Sequence, residues 1–281
     1  MPSLLKPLTL GLSVILAAGC SHVPKESEKA PALTDNNLNS TLWVQASGEY
    51  KANALQAYNA AIANLGGVVK LGNQSAALEQ EGNVGSLPAA VVLDIDETVL
   101  ENSKYQANLV LTGTSFNPAT WDQWIAKKDA SAVPGAVEFI NYAKSTGVEV
   151  FYITNRECMP RETGSDPCPQ EADTLANLQS VGIQGATKNH LLMKKEFPDW
   201  GSEKTSRRTN VAEQYRIVML FGDDLGDFLP GAKSMTPTER DRMVSEHSNK
   251  WGSVWYMLPN PTYGSWQRVL KGAPEGHLKG Y

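Results

Sequence analysis

The chain has 281 residues, enough to bury a sizeable core in one decorated domain or two small ones. It is 41% hydrophobic and 20% charged, with a formal net charge of -5. That balance excludes the broad basic field of a general nucleic-acid binder, so no nucleic-acid polymer is expected as a partner. An anionic substrate has to be drawn by local cations.

Lys6 precedes an apolar run from Leu8 to Ala18, followed by Gly19 and Cys20. The run is about half of what a membrane-spanning helix needs, which marks residues 1–19 as a signal peptide. Its end, Leu16-Ala17-Ala18-Gly19-Cys20, resembles a bacterial lipoprotein processing site, in which the Cys carries the lipid. A plain secretory signal with an incidental Cys is the other reading. Ser21 resembles the residue found in lipoproteins sent to the outer membrane. Residues 20–40 are polar, with Pro24 and Pro31, and fit a flexible tether.

From Trp43 to Leu65 the pattern predicts one long helix, with Leu42, Ala46, Tyr50, Ala54, Ala57, Ala61 and Leu65 at helical spacing. Gly66-Gly67 is expected to stop it. Residues 72–88 are polar and broken by glycines. Continuous apolar runs then predict buried strands at 89–95, 148–153 and 216–221, with shorter ones at 190–193 and 253–257. Helical patterns fall between them, near 134–146, 170–181, 206–214 and 237–249. Alternating strands and helices predict an α/β fold, a Rossmann-like parallel sheet. Segments 41–72 and 100–132 are expected to form a smaller, mostly helical side domain within the folded unit 41–281.

In such sheets the reactive groups lie beyond the carboxyl ends of the strands. The first strand ends in Asp94-Ile95-Asp96-Glu97-Thr98, the second in Thr154-Asn155-Arg156, and the third in Gly222-Asp223-Asp224-Leu225-Gly226-Asp227. Lys204 precedes a predicted helix between the last two, with Lys194 and Lys195 nearby as the other candidates for its place. A carboxylate can attack phosphorus, and a second one nearby can move protons. A divalent cation is needed to relieve the repulsion between nucleophile and phosphate, and hard oxygen ligands suit Mg²⁺. Lys204, Thr154, Asn155 and backbone N–H groups are the candidates for binding the phosphate.

Val91 to Tyr105 and Val218 to Phe228 resemble the paired four-aspartate signature of class C acid phosphatases, bacterial lipoprotein enzymes of the haloacid dehalogenase type also described as 5′-nucleotidases. The resemblance implies that Asp94 is the nucleophile and a metal ligand. It implies that Asp96 is the general acid/base with its backbone carbonyl on the metal, that Asp223 is a third protein ligand, and that Asp227 lies at or near the metal shell. Trp121 and Tyr263 match the family's base-stacking positions, although both rings can equally serve packing. The resemblance also implies a lipid anchor at Cys20, an outer-membrane location and a possible homodimer.

Cys158 and Cys168 flank a loop rich in Pro and Gly, where an exported chain can form a bridge. Two free or metal-binding thiols are the other reading, with no further Cys or well-spaced His to complete a site. The functional expectation is a phosphomonoesterase acting on nucleoside monophosphates. The alternatives are a broad-range phosphatase on sugar or aryl phosphates and a surface haem-binding lipoprotein. The latter has no recognisable ligation motif behind it.

Overall fold

The computed structural model describes residues 37–162 and 164–281. The expected signal peptide, Cys20 and most of the tether lie outside the described residues. Among the described residues, no helix is long and apolar enough to cross a membrane.

The strands are β1 (Ala89–Leu93), β2 (Leu100–Glu101), β3 (Ser131–Ala132), β4 (Glu149–Glu157), β5 (Leu191–Lys194), β6 (Arg216–Gly222) and β7 (Trp255–Met257). The helices are α1 (Leu38–Ala46), α2 (Gly48–Lys70), α3 (Ser103–Thr112), α4 (Pro118–Lys127), α5 (Ala136–Ser145), α6 (Pro169–Ser180), α7 (Thr205–Ala212), α8 (Pro237–Glu246) and α9 (Ser265–Arg268). The main sheet is parallel throughout, in the order β5-β4-β1-β6-β7. β2 and β3 form a separate antiparallel pair. The expected α/β parallel-sheet fold is the observed one.

Both faces of the sheet are covered, which explains why its central strands read as unbroken apolar runs. Val91 and Leu93 point into one layer with Tyr58, Leu65, Phe139, Ile140 and Phe221. Ala90 and Val92 point into the other with Phe151, Ile217, Leu220, Phe228 and Trp255. On the first face α2 packs on α5, and Tyr58 stacks on Phe221 with ring centroids 5.5 Å apart. The Tyr58 hydroxyl donates to Thr98 O at 2.7 Å, so this packing also holds the loop after β1.

The single N-terminal helix expected from periodicity is two helices. Ser47 leaves the helical region and caps α2, its hydroxyl accepting from Tyr50 N at 3.1 Å. A capping oxygen satisfies an orphan N–H and so favours a new start. α1 begins at Leu38, so the last residues of the expected tether are helical. Leu42 and Ala46 face outward, and Thr41 and Val44 are the buried residues of α1; in α2 Tyr58 is buried beside the expected Ala57. Gly66-Gly67 does not end α2, which runs to Lys70. Arg216 donates to Val69 O at 2.7 Å and to Val68 O at 3.4 Å, satisfying carbonyls beyond the glycines. Two glycines cost about 1 kcal/mol each in a helix, and a cation at its C-terminus offsets part of that.

α1 packs on α3 and α4 on α6, whereas α2 lies on α5, β6 and β7. Of the segments expected in the side domain, α2 is therefore a layer of the main sheet. The polar stretch 72–88 also joins the fold. Ala76 N donates to Ile217 O at 2.7 Å, and Gln80 Nε2 donates to Ala212 O and Tyr215 O at 2.8 and 2.7 Å.

Candidate active site

Parallel pairing sets the site. Leu93 lies opposite Tyr152 on one side and Phe221 on the other, so the residues after β1 and β6 emerge beside the Thr154–Arg156 stretch, which lies within β4 and not beyond the end expected at 153. Asp94 N still donates to Phe221 O at 3.0 Å. One carboxylate oxygen from each of Asp94, Asp223 and Asp227 lies within 4.8 Å of the others. Gly222 makes this possible, because a Cβ there would lie 2.2 Å from Asp227 Oδ2. Asp227 sits on the short 3-10 turn Leu225–Asp227, and its Oδ2 accepts from Asp224 N at 3.1 Å.

Lys204, the N-cap residue of α7, is buried between these groups. Its Nζ bonds Asp94 Oδ1 and lies 2.6 Å from Asp227 Oδ1. Lys194 and Lys195 turn instead to Glu157, at 2.7 Å each. Burial pushes the Asp94 carboxyl up to about 7, with Lys204 pulling it back and Asp227 and Asp96 pushing further. Desolvation in the cleft, with Asp94 and Asp227, holds Asp223 well above the usual carboxylate range. Three converging carboxylates against one ammonium leave negative charge uncompensated. That donor set, all hard oxygen, fits a divalent cation.

The Asp96 side chain is not part of this cluster. Arg156 Nε reaches both its oxygens at 3.1 Å, Arg156 Nη2 bonds Oδ1 at 2.7 Å, and Asn102 Nδ2 donates to Oδ1 at 3.0 Å. Asn102 is fully buried and in turn accepts from Trp124 Nε1 at 2.8 Å. The two motif carboxylates therefore have separate surroundings, one on Lys204 and one on Arg156.

Thr154 is buried, and its hydroxyl accepts from Arg156 N at 3.0 Å. Asn155 is exposed, with its Oδ1 accepting from Arg207 Nη2 at 2.8 Å. Arg207 also donates to Thr154 O, while Arg208 donates to Asp227 O at 2.9 Å and pairs with Glu79. One turn of α7 thus holds three loops, through Lys204, Arg207 and Arg208. None of these arginines was singled out from sequence. Their only signal was position, one beside Thr154 and two just after Lys204.

Tyr263 touches the Asp94–Glu97 segment directly, and Trp121 is linked to it through Arg156. Trp121 is half-buried, edge-on to Tyr105 at 5.0 Å, and lies 5.9 Å from the Arg156 guanidinium that holds Asp96. Tyr263 donates its hydroxyl to Glu97 Oε1 at 3.1 Å. Glu97 takes a left-handed backbone, φ 62°, an uncommon state for a residue with a side chain. Burial, then the nearby Glu101, pushes its carboxyl up to about 8. Asn260 ties the loop that carries Tyr263 to Asp223: Nδ2 donates to Asp223 Oδ2 at 2.8 Å, and Oδ1 accepts from Thr262 N at 2.9 Å. Cys158 and Cys168 are joined by a disulfide.

Comparison with known proteins agrees with this arrangement. The family described as HAD superfamily, subfamily IIIB (acid phosphatase), matches residues 16–266. The class C acid phosphatase of Bacillus anthracis is similar in structure, with a TM-score of 0.73 and 34% identity over 89% of this chain and 99% of that one. A second structure of that protein has tungstate bound. The stem 31 kDa glycoprotein of Glycine max is 28% identical over 61% of this chain and 58% of its own length. Acid phosphatase 1 of Solanum lycopersicum is 26% identical over 61% of this chain and 57% of its own length. The chain thus spans less than two thirds of these curated relatives. With its aspartates, lysine and sheet in this order, the chain belongs to the acid phosphatase family of the HAD superfamily, subfamily IIIB.

Proposed function

We propose that this protein is a Mg²⁺-dependent phosphomonoesterase that works through an aspartyl-phosphate and prefers nucleoside 5′-monophosphates. The observation that carries the reading is the convergence of Asp94, Asp223 and Asp227 with Lys204 against two of them. Asp94, Asp223, Asp227 and the backbone carbonyl of Asp96 are the groups that would hold the cation. When bound, it neutralises charge between nucleophile and phosphate and polarises the phosphoryl oxygens.

Asp94 attacks phosphorus through Oδ2, the oxygen that Lys204 does not bind, and the bond to the leaving oxygen breaks. Asp96 gives its proton to that oxygen. It then takes a proton from water, whose oxygen attacks the same phosphorus and frees Asp94. Arg156 and Asn102 fix the plane of the Asp96 carboxylate throughout. Lys204, Thr154, Asn155 and backbone N–H groups of the Asp94–Thr98 turn bind the phosphoryl oxygens. That the Bacillus anthracis relative is described with tungstate bound, an oxyanion like phosphate, supports a phosphate-binding reading.

Trp121 and Tyr263 favour a base-bearing substrate over a sugar phosphate, since stacking tolerates any base. Export and lipid anchoring to the outer membrane through Cys20 complete the reading, and the Cys158–Cys168 bridge suits an oxidising compartment. A panel of adenosine 5′-monophosphate, a sugar phosphate and an aryl phosphate, each run with Mg²⁺ and with EDTA, tests it. Turnover should need the metal and kcat/KM should be highest for the nucleotide. Equal activity in EDTA contradicts the metal, and a flat panel contradicts the nucleotide preference.

A further inference from the structure

The loop closed by Cys158 and Cys168 takes no part in the chemistry above, yet it reaches the wall of the site. Its Arg161 forks onto Asp122 of α4, with Nε to Oδ2 at 2.8 Å and Nη2 to Oδ1 at 2.9 Å. The third nitrogen, Nη1, bonds Asp173 Oδ2 of α6 at 2.7 Å. Gln170 joins the same group: Nε2 donates to Asp122 Oδ1 at 2.8 Å, and Oε1 accepts from Met159 N at 3.1 Å. Asp173 also accepts from Lys128 Nζ, just past the end of α4, at 2.9 Å. The loop and α6 therefore grip α4 at its middle and at its end.

The grip has the geometry that makes an ion pair count. Arg161 and Asp122 are 25% and 30% exposed, and the contact is bidentate, so it is directional and partly shielded from salt. Hydrogen bonds from Arg161 and Gln170 hold the Asp122 carboxyl below its usual range. Burial of Trp124 and Ile125 holds α4 onto the core, and the fork onto Asp122 adds a directional contact that fixes how the helix is turned about them. Trp121 directly precedes Asp122. Its ring lies 5.9 Å from the Arg156 guanidinium, and that guanidinium holds Asp96, the group assigned to the leaving oxygen. A small roll of α4 would swing the Trp121 ring toward or away from the leaving group.

We infer that Arg161, held in place by the Cys158–Cys168 bridge, is a positioning residue for Trp121 and so sets the preference for ring-bearing leaving groups. This rests on Trp121 being a substrate contact, as proposed above. The bridge acts by limiting the conformations that Arg161 must give up to form its fork. A purely structural clamp would weaken every substrate alike. A positioning clamp raises KM for substrates that use the ring and leaves others unchanged.

The test compares KM and kcat for adenosine 5′-monophosphate and for β-glycerol phosphate, which has no ring, with Mg²⁺ present. The proteins are the wild type, Trp121→Ala, Arg161→Ala, Arg161→Lys, Asp122→Asn, and the double variants Trp121→Ala/Arg161→Ala and Cys158→Ser/Cys168→Ser. Arg161→Ala and the cysteine variant should each raise KM for the nucleotide about three- to tenfold, part of what a full base–aromatic stack contributes. Kinetics on β-glycerol phosphate should be unchanged. Arg161→Lys should recover only part of the loss, because an ammonium cannot fork. Arg161→Ala should add nothing to Trp121→Ala, since the two act on one contact. Asp122→Asn reads the same clamp from the helix side should the arginine variant not fold. Equal losses on both substrates, or an unchanged nucleotide KM in Arg161→Ala beside a raised one in Trp121→Ala, overturn the inference alone. An unchanged nucleotide KM in Trp121→Ala overturns the substrate contact, and the inference with it.

Discussion

Lys204 Nζ lies 2.6 Å from Asp227 Oδ1 while also bonded to Asp94 Oδ1, so one buried ammonium bridges two of the three converging carboxylates. Lys204→Ala removes the charge that steadies the nucleophile and the incoming phosphate. Steady-state kinetics should show kcat/KM falling about 10²- to 10³-fold, the size typical of a lost transition-state donor. Lys204→Arg should not restore it, because the planar fork does not fit a contact built for a point charge.

The same carboxylates predict how stability depends on pH. The Asp94 carboxyl is raised from 3.8 to about 7, chiefly by burial, and Asp223 is raised in the same direction. Below the ordinary carboxylate range both folded and unfolded chains are protonated. Above it, the unfolded chain releases protons that the fold still holds, so stability falls as pH rises toward about 7. Thermal melts of metal-free protein should therefore decline between about pH 4 and pH 7. Added Mg²⁺ should raise the melting temperature more at pH 8 than at pH 5, because it binds the ionised carboxylates. An equal rise at both pH values would count against the cluster as the metal site.

Arg156 is 1% exposed and satisfies both Asp96 and Thr174, the latter at 3.0 Å. Arg156→Met leaves Asp96 with Asn102 as its side-chain donor. It should lower kcat at least tenfold and destabilise the fold by about 2–3 kcal/mol. That is below the range for a fully enclosed pair, since Asp96 still touches solvent. Urea unfolding and kcat measured on one preparation check both halves. Asn102→Ala should act in the same direction more weakly, because Arg156 keeps its hold.

The sheet and the aspartates were legible because fully buried parallel strands leave unbroken apolar runs, and the polar residues just after each run stand at the sheet's carboxyl edge. Asp94 and Asp223 stand at such ends, whereas Thr154 lies within β4, which runs on to Glu157; Leu93 pairing with both Tyr152 and Phe221 brings them together. Arg156, Arg207 and Arg208 were not legible, because arginine is ordinarily a surface residue and nothing local announces a buried one. The helix boundary at Gly66-Gly67 failed for a related reason. The carbonyls past the glycines are satisfied by Arg216, which is distant in sequence. Nothing local marks Gly222 as necessary, because its necessity comes from the close approach of Asp227.

Cys20→Ala should release the exported protein from the membrane fraction without changing its kinetics, since a lipid on that residue is the proposed anchor. Fractionation and detergent partitioning of wild type and variant check this. A variant that stays with the membrane contradicts anchoring through Cys20.

The central claim is that Asp94 carries the phosphoryl group during turnover. Acid-quenching the enzyme during turnover of a ³²P-labelled substrate, with peptide mapping of the quenched protein, tests it directly. Label should appear on the peptide that contains Asp94, and Asp94→Asn should show neither label nor turnover. Label on another residue, or full turnover by Asp94→Asn, would contradict it.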